Sequence, residues 1–383
     1  MNMQIDLEKG IANVGDVSRM KEVMARAKRG GRLVIGSITQ GSLSSTPQTC
    51  YAYRVYTWWK ETFPQAEFVY CNAGIGGTTS EFGAARVGTD LLAERPDFVI
   101  VEFSVNDEST EHFKETYEGL VRKILGAAWN PAVLLVHNVF YHNGANAQVM
   151  HAAIGRHYDL PSVSMQNSIY PEVVAGRIEN RAITPDDLHP NDEGHALVAS
   201  VITYFLEQVR SGKLTGSNAS FALGAKLPVP LTKNAYEDSV RIRNAAAPDM
   251  AGLQQPTLDG FTPDETAQNE ITDCFRYGWT AKKTGDAITF LVEGSCIAVQ
   301  YRKSVKLPAP VALAVVDDDT EHAVRLDANF DETWGDKLEL ATLLEHGKEG
   351  RHIVTIRLAE THEDDAVPFY LVSVIATGRR GRD

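Results

Sequence analysis

Between residues 32 and 212, short apolar runs alternate with segments of helical periodicity, and this alternation restricts the fold more than any other feature of the chain. The runs are rich in Val, Ile and Phe and do not alternate with polar residues, which is typical of strands buried on both faces. Strands separated by helices at this spacing predict an α/β fold, a parallel sheet covered by helices. The predicted strands are 33–35, 68–71, 98–103, 133–138 and 161–165, and the predicted helices are 20–28, 51–63, 80–94, 112–128, 145–158 and 193–211.

The alternation ends at a run of small and polar residues, 211–218. After it, short strand candidates separated by turn-forming segments favour a β-sandwich. A chain of 383 residues is also long for a single core. We therefore predict a three-layer α/β domain over residues 1–215 and an all-β domain over 216–383. The strand candidates of the second domain are 287–292, 297–301, 311–316, 338–344, 352–358 and 369–376.

Composition excludes several classes of function. The net charge of −13, from 37 basic and 50 acidic residues, disfavours a nucleic acid or an anionic membrane as partner. Residues 1–10 carry no apolar core of signal-peptide length, and the apolar runs are too short to cross a bilayer, so we expect a cytoplasmic protein. The four cysteines have no CxxC spacing, which argues against a zinc site and favours reduced thiols.

Four segments with polar residues follow predicted strands or precede the last helix. The first contains Gly36-Ser37, where the serine comes at the end of the strand 33–35. A serine hydroxyl becomes a nucleophile only when a base takes its proton, and most serines after a strand are turn or helix N-cap residues. The chain has no GxSxG motif, which argues against an α/β-hydrolase.

The last of these segments is Asp186-Asp187-Leu188-His189-Pro190. Nucleophilic hydrolysis needs a histidine with one ring nitrogen towards the serine and the other held by a carboxylate. An Asp three residues before a His, in a loop bounded by Pro185 and Pro190, supplies both groups. The alternative interpretation is an Asp-rich turn before the helix 193–211.

The two middle segments offer hydrogen-bond donors. Asn106 follows the strand 98–103, where its amide is suited to a developing oxyanion, although an Asx-turn would place the same residue there. The segment 72–80 exposes backbone N–H groups through its glycines. It nearly matches a dinucleotide fingerprint but has Thr79 in place of the third glycine, and the loop 36–41 lacks a phosphate-binding Lys, so nucleotide binding is disfavoured.

Ser, Gly, Asn and Asp-x-x-His in this order resemble the SGNH (GDSL-type) hydrolases over about residues 18–212. The resemblance implies Ser37 as nucleophile, His189 as base and Asp186 as the acid that orients it. It implies an oxyanion hole formed by Ser37 N–H, Gly77 N–H and the Asn106 side chain, with no metal or organic cofactor. The first block departs from the family pattern, because it reads Gly-Ser-Ile-Thr without the Asp of Gly-Asp-Ser; this variant occurs in carbohydrate-active branches.

The segments 51–64 and 102–107, together with the C-terminal β-domain, are similar to carbohydrate esterase family 17, the acetylmannan esterases. This resemblance implies a carbohydrate-binding-module-like sandwich and removal of O-acetyl groups from acetylated oligosaccharides; a homodimer is left open. Alternative substrates are acylated sugars of the xylan type and lipid or short-chain acyl esters. Candidate aromatic residues for stacking on sugar rings, whose commoner fate is core packing, are Tyr277, Trp279 and Trp334.

Overall fold

The computed structural model describes residues 5–42, 44–217, 226–244 and 254–378, which form two compact units, Met1–Lys233 and Asn234–Asp383. The division falls later than the boundary predicted after residue 215, because residues 226–233 remain bonded to the first unit. The backbone N–H groups of Leu231 and Thr232 donate to the Glu118 carboxylate at 2.6 and 2.7 Å. The small, polar run after the last helix therefore ends the helix but not the unit.

The first unit has the α/β organisation that the sequence predicts. Its strands are β1 (Ile11–Asn13), β2 (Arg32–Thr39), β3 (Glu67–Gly74), β4 (Phe98–Glu102), β5 (Ala132–His137) and β6 (Ser162–Ser164). Its helices are α1 (Ser18–Lys28), α2 (Tyr51–Thr62), α3 (Ser80–Asp90), α4 (Glu111–Leu125), α5 (Gln148–His157), α6 (Met165–Ser168), α7 (Tyr170–Val174), α8 (Asn180–Ile183) and α9 (Asp192–Arg210).

The strands form one sheet in the order β1-β6-β5-β4-β2-β3. Strands β2 to β6 pair in parallel, and β1 is antiparallel to β6. The chain goes from β2 to β3 on one side and then crosses to β4 on the other, so β2 is the strand at which the strand order reverses. In open α/β sheets a ligand crevice forms at this position, beyond the carboxyl ends of the strands.

The helices bury one apolar face against this sheet. In α1 the buried side chains are Met20, Val23, Met24 and Ala27, which have the i, i+3, i+4, i+7 spacing of an amphipathic helix. The chain leaves α1 through Gly30, whose φ of +81° is the left-handed conformation that glycine adopts without steric cost. A left-handed glycine just after the last turn is a common way for a helix to end. Strand β1 and the short helices α6–α8 were not predicted, since segments of three to five residues carry too little periodicity.

The second unit is all-β and consists of antiparallel strands, as predicted. One sheet has the order β15-β12-β17-β10-β9, with β7 also paired to β17, and the other has the order β14-β13-β16-β11-β8. The strands are β7 (Val240–Ile242), β8 (Thr257–Asp259), β9 (Thr262–Pro263), β10 (Trp279–Ala281), β11 (Ala287–Gly294), β12 (Cys296–Lys303), β13 (Val311–Val316), β14 (Val324–Asp327), β15 (Lys337–Leu344), β16 (Gly350–Glu360) and β17 (Phe369–Thr377).

The aromatic candidates of this unit have different surroundings. Trp279 is only 1% exposed and packs edge-to-face on Phe290 in the core, so its prediction as a sugar-stacking residue is wrong. Trp334 is 63% exposed and makes an edge-to-face contact with Phe330. Tyr277 is half-buried and has the Arg243 guanidinium over its ring. Trp334 is therefore the most accessible of the three.

Three further features concern the described residues. No helix among them is long and apolar enough to span a bilayer. Within the same ranges, no cluster of three or more His, Cys, Asp or Glu side chains has a geometry that could hold a metal ion. Of the four cysteines, Cys296 is buried, and Cys50, Cys71 and Cys274 are half-buried.

Candidate active site

The segment 40–45, of which the structure describes 40–42, 44 and 45, follows β2. It contacts the loops after β3 and β4 and borders the same cavity as His189. The Gln40 side chain extends towards the loop after β4, where its Oε1 accepts a hydrogen bond from Asn106 N at 2.9 Å. Gly41 lies against the loop after β3, because a Cβ built on it would be 2.5 Å from Gly76 N. Gly41 also has a φ of +76°, so both its conformation and its surroundings require glycine.

The next residues of the segment contact the start of α9. Ser42 Oγ lies 3.4 Å from His195 Nε2. Ser45 N donates to Asp192 Oδ1 at 3.2 Å. A cavity of about 440 Å³ opens at this point, and its lining includes Ser44, Ser45, Pro185, His189, Pro190 and Asn191.

Asp186 and His189 are brought together as predicted. His189 Nδ1 is 2.6 Å from Asp186 Oδ2, and the His189 backbone N–H donates to Asp186 Oδ1 at 2.8 Å. Burial of the Asp186 carboxyl opposes ionisation, but the hydrogen bonds from the ring and backbone of His189 outweigh it and lower its pKa. An ionised carboxylate at Nδ1 holds the proton there and leaves Nε2 as the basic nitrogen.

The loop that carries this pair is anchored on both sides. The Asp187 carboxylate accepts hydrogen bonds from Arg181 Nη1 at 2.7 Å and Arg181 Nη2 at 3.0 Å. The Asp187 carbonyl accepts from Tyr141 N, beyond the end of β5, at 2.8 Å. These contacts connect the loop to α8 and to the carboxyl end of the sheet.

The predicted oxyanion donors lie on two adjacent loops. Asn106 Nδ2 donates to the Thr78 carbonyl at 3.1 Å, which joins the loop after β4 to the loop after β3. Gly77 has a φ of +69°, and a Cβ built on it would meet nothing within 4 Å. The backbone at Gly77 therefore borders open space next to the Asn106 amide, as an oxyanion site requires.

Ser37 does not occupy the position that sequence analysis expected. It is 1% exposed, lies within β2 in register with Asn72 of β3, and donates from Oγ to Asn72 Oδ1 at 3.0 Å. No hydrogen bond joins Ser37 to His189, although the structure describes both residues. The physical reason is the length of β2, which continues to Thr39 and so keeps Ser37 inside the sheet.

Ser42 was missed, although the sequence contains a signal for it. A second Gly-Ser pair, Gly41-Ser42, comes five residues after Gly36-Ser37. Because β2 ends at Thr39, this second serine is the one that lies beyond the end of the strand, next to Gly76 and α9.

A buried polar network supports the loop that carries Asn106. Asp107 Oδ1 accepts from Ser80 N at 2.9 Å, and Asp107 Oδ2 lies 3.0 Å from His151 Nε2. The His151 ring stacks on Tyr117 with 3.7 Å between centroids. Asp107 thereby fixes the start of α3, which follows Gly77, relative to the residue next to Asn106.

Glu102, at the end of β4, is fully buried beneath the same loop. Its Oε1 accepts hydrogen bonds from Ser104 N at 2.9 Å and Ser104 Oγ at 2.8 Å. Burial raises the pKa of Glu102 to about 7 in spite of these bonds.

The parallel sheet, the serine-bearing segment at its switch point, the Asp-His pair and the loop donors together define a hydrolase of the SGNH type. The family model of the GDSL-like lipase/acylhydrolase family matches residues 36–197. The chain is also 64% identical to a two-domain esterase (CEX) active on acetylated mannans, over 99% of this chain and 100% of that one, with a TM-score of 0.92. This chain belongs to the GDSL-like lipase/acylhydrolase family.

A second similar crystal structure is that of a two-domain esterase (CEX) active on acetylated mannans, co-crystallised with mannopentaose. Its identity to this chain is 63%, over 99% of this chain and 100% of that one, and its TM-score is 0.92. No curated protein matches the chain significantly.

Proposed function

We propose that this protein is a serine esterase that removes O-acetyl groups from mannan-type oligosaccharides through an acetyl-serine intermediate. Support for the reaction comes from three loops near the segment 40–45: the loops after β3 and β4, which contact it, and the Asp186–His189 loop, which borders the same cavity. Support for the substrate comes from the 64% identity, over the whole length, to an esterase active on acetylated mannans. The observation that carries the proposal is the Asp186–His189 pair, whose histidine lines a cavity beside this segment.

Ser42 is the nucleophile in this proposal, in place of Ser37. A nucleophile must approach both the oxyanion donors and the general base. The segment 40–45 contacts Asn106 through Gln40 and borders the His189 cavity through Ser44 and Ser45. Ser37 is enclosed in the sheet, where a carbonyl of a polysaccharide has no access to it.

His189 is the general base, and His195 is not, although His195 is nearer to Ser42. His195 Nδ1 accepts the backbone N–H of Tyr51 at 3.2 Å, so the neutral ring carries its proton on Nε2. That nitrogen donates to Ser42 Oγ and has no lone pair to accept the serine proton. In the proposed reaction the hydroxyl exchanges its contact with His195 for one with His189.

The reaction has two steps. Ser42 Oγ attacks the acetyl carbonyl while His189 Nε2 takes its proton, and the tetrahedral oxyanion is stabilised by Ser42 N–H, Gly77 N–H and the Asn106 amide. The ester C–O bond then breaks, and His189 returns the proton to the sugar oxygen. In the second step, water activated by His189 cleaves the acetyl-serine ester and releases acetate.

Paired alanine variants test the assignment of the nucleophile. Ser42→Ala should lower kcat on p-nitrophenyl acetate by more than about 10⁴-fold, as expected when a serine nucleophile is removed. Ser37→Ala should keep kcat within about tenfold of the wild type, because it loses one partly buried hydrogen bond away from the reacting groups. Loss of activity in Ser37→Ala with retention in Ser42→Ala, at unchanged Tm, would overturn the assignment.

The substrate is tested by acetate release from acetylated mannan, acetylated xylan and short-chain aryl esters under one set of conditions. We expect the highest kcat/KM on acetylated mannan. A preference for xylan would favour another acylated sugar, and activity on aryl or lipid esters alone would exclude a carbohydrate esterase.

The second unit contributes a carbohydrate-binding surface in this proposal. The support is the exposure of Trp334 and its contact with Phe330, which together form an aromatic surface of the kind that stacks on pyranose rings. Trp334→Ala in the full-length protein should raise KM for acetylated mannan and leave aryl-acetate hydrolysis unchanged.

A further inference from the structure

A second cavity lies on the first unit, in a groove between α2 and α9. Its volume is about 420 Å³, and nothing in the catalytic proposal uses it. Its lining includes Gln48, Arg54, Trp58, Glu61, Ser200 and Thr203. The groove therefore combines one large aromatic side chain with several hydrogen-bonding groups.

The groove is next to the catalytic cavity. Ser45 and Glu193 line the catalytic cavity, and Gln48 and Ala196, three residues further along each segment, line the groove. On α9 this step is slightly less than one helical turn, or roughly 4.5 Å along the helix axis. A chain of sugars with one unit at His189 can therefore continue over the surface into the groove.

Arg54 lines the groove and is bonded to Asp192, a residue of the catalytic cavity. Its Nε donates to the Thr49 carbonyl at 2.8 Å, and its Nη2 approaches the Asp192 carbonyl at 3.4 Å. The Asp192 side chain in turn accepts from Ser45 N. These bonds fix the wall between the cavities, so that the groove has a defined position relative to the catalytic segment.

The chemistry of the groove suits a neutral pyranose. Trp58 is half-buried and makes edge contacts with Trp59 and Phe63, which hold the indole in place while part of it lines the groove. A pyranose ring presents C–H groups to an aromatic surface and hydroxyls at its rim. Arg54 donates hydrogen bonds, and Glu61 accepts them; their opposite charges leave the groove without net charge, which favours a neutral ligand.

We propose that this groove is a distal binding site for unacetylated sugar units of an oligosaccharide whose acetylated unit occupies the cavity at His189. The proposal rests on the proposed function. In this proposal Trp58 strengthens the binding of longer oligosaccharides and takes no part in the chemical step.

The experiment measures kcat/KM of the full-length protein on acetylated manno-oligosaccharides of increasing length and on p-nitrophenyl acetate. In the wild type, kcat/KM should rise with length. In Trp58→Ala, that rise should shrink by about tenfold for the longest substrate, the size of effect expected for one lost aromatic stacking contact. Trp58→Phe should recover part of it, and p-nitrophenyl acetate hydrolysis should stay unchanged.

Lys60→Ala is the matched control, because Lys60 is an exposed residue of α2 that does not line the groove. An equal loss on p-nitrophenyl acetate and on oligosaccharides in Trp58→Ala would show a structural role and overturn the proposal. If Trp58→Ala had the same kcat/KM as the wild type at every oligosaccharide length, the proposal would be overturned as well, while the esterase function would stand. A wild type that hydrolyses aryl acetate but no acetylated oligosaccharide would instead refute the proposed function.

A binding measurement gives a second, independent readout. Calorimetric titration of the Ser42→Ala protein with unacetylated manno-oligosaccharides should show binding that weakens about tenfold in Ser42→Ala/Trp58→Ala. Equal affinity in the single and double variants would contradict the assignment of the groove.

Discussion

The two Gly-Ser pairs in and after β2 have the same sequence but different surroundings. Gly36-Ser37 is inside the sheet, and its serine is bonded to Asn72 of the neighbouring strand. Gly41-Ser42 lies beyond the strand, with its glycine against Gly76 and its serine beside His195. The comparison teaches that the last paired residue of a strand, and not the local motif, decides which serine lies beyond the edge of the sheet.

Among the changes that compare the two pairs, the largest difference in kcat should be between variants of Asn106, near the proposed site of Ser42, and of Asn72, the partner of Ser37. Asn106→Ala removes a proposed oxyanion donor and should lower kcat by about 10²–10³-fold. Asn72→Ala removes the acceptor of Ser37 and should lower the free energy of unfolding by about 1–2 kcal/mol, with kcat little changed. Steady-state kinetics and urea unfolding of both variants measure this contrast. Equal kcat losses would break the distinction between the two Gly-Ser pairs.

The two glycines should differ in the same way. Gly41→Ala puts a methyl group against the backbone of Gly76 at a φ that disfavours any side chain, so the loop must shift and kcat should fall by about 10²-fold. Gly36→Ala meets the side chains of Leu91 and Pro96 instead. We expect Gly36→Ala to lower Tm and to retain kcat in the folded fraction. Retained kcat in Gly41→Ala would contradict the proposed position of Ser42.

A smaller effect is expected from the network below the Asn106 loop. Asp107→Ala should lower kcat by about tenfold with KM unchanged, because Ser80 N loses its acceptor and the two donor loops lose one of the bonds that connect them. Asp107→Asn keeps an acceptor oxygen and should recover most of the activity. If KM rose instead, or Asp107→Asn behaved like Asp107→Ala, the network would not position the oxyanion donors.

The last prediction concerns Glu102, which should affect stability more than activity. Glu102 is paired in register with Thr39, the last residue of β2, between Ser37 and Ser42 in the chain. Burial raises its pKa from 4.5 to about 7. A carboxyl whose folded pKa is raised contributes stability that is fully present below its unfolded pKa and is lost as pH rises through its folded pKa. The free energy of unfolding should therefore fall between about pH 4.5 and 7, by an amount on the order of 3 kcal/mol.

Urea unfolding at pH 4.5 and pH 8 measures this loss. Glu102→Gln, which keeps an acceptor for Ser104 without the charge, should show a smaller fall in stability over that interval. Glu111→Gln on the exposed start of α4 is the control and should behave like the wild type. An unchanged pH dependence in Glu102→Gln would show that the buried carboxyl is not its source.

The sequence predicted the architecture because periodicity is a local property. The five strands of the parallel sheet and the pairing of Asp186 with His189 follow from short stretches of chain. The end of β2 does not, because it depends on partners far along the chain: Thr39 remains a strand residue through its register with Gly74 and Glu102. A prediction based on the apolar run alone ends the strand at Ile35 and selects the first serine.

The boundary between the units has a similar explanation. The run 211–218 looks like a linker by composition, but residues 228–232 bind to α4 through Arg122 and Glu118. Contacts that join residues more than 100 positions apart leave no trace in local composition. The burial of Trp279 was likewise hidden, since an isolated tryptophan does not reveal whether it faces the core or the solvent.

Two hydrogen bonds join Asp186 to His189, one through the ring and one through the backbone, so the acid and the base are held as a single unit. Because one short turn holds both groups, the carboxylate and the imidazole keep their alignment whether or not a substrate is bound. The pair therefore needs no rearrangement of its own before it accepts a proton.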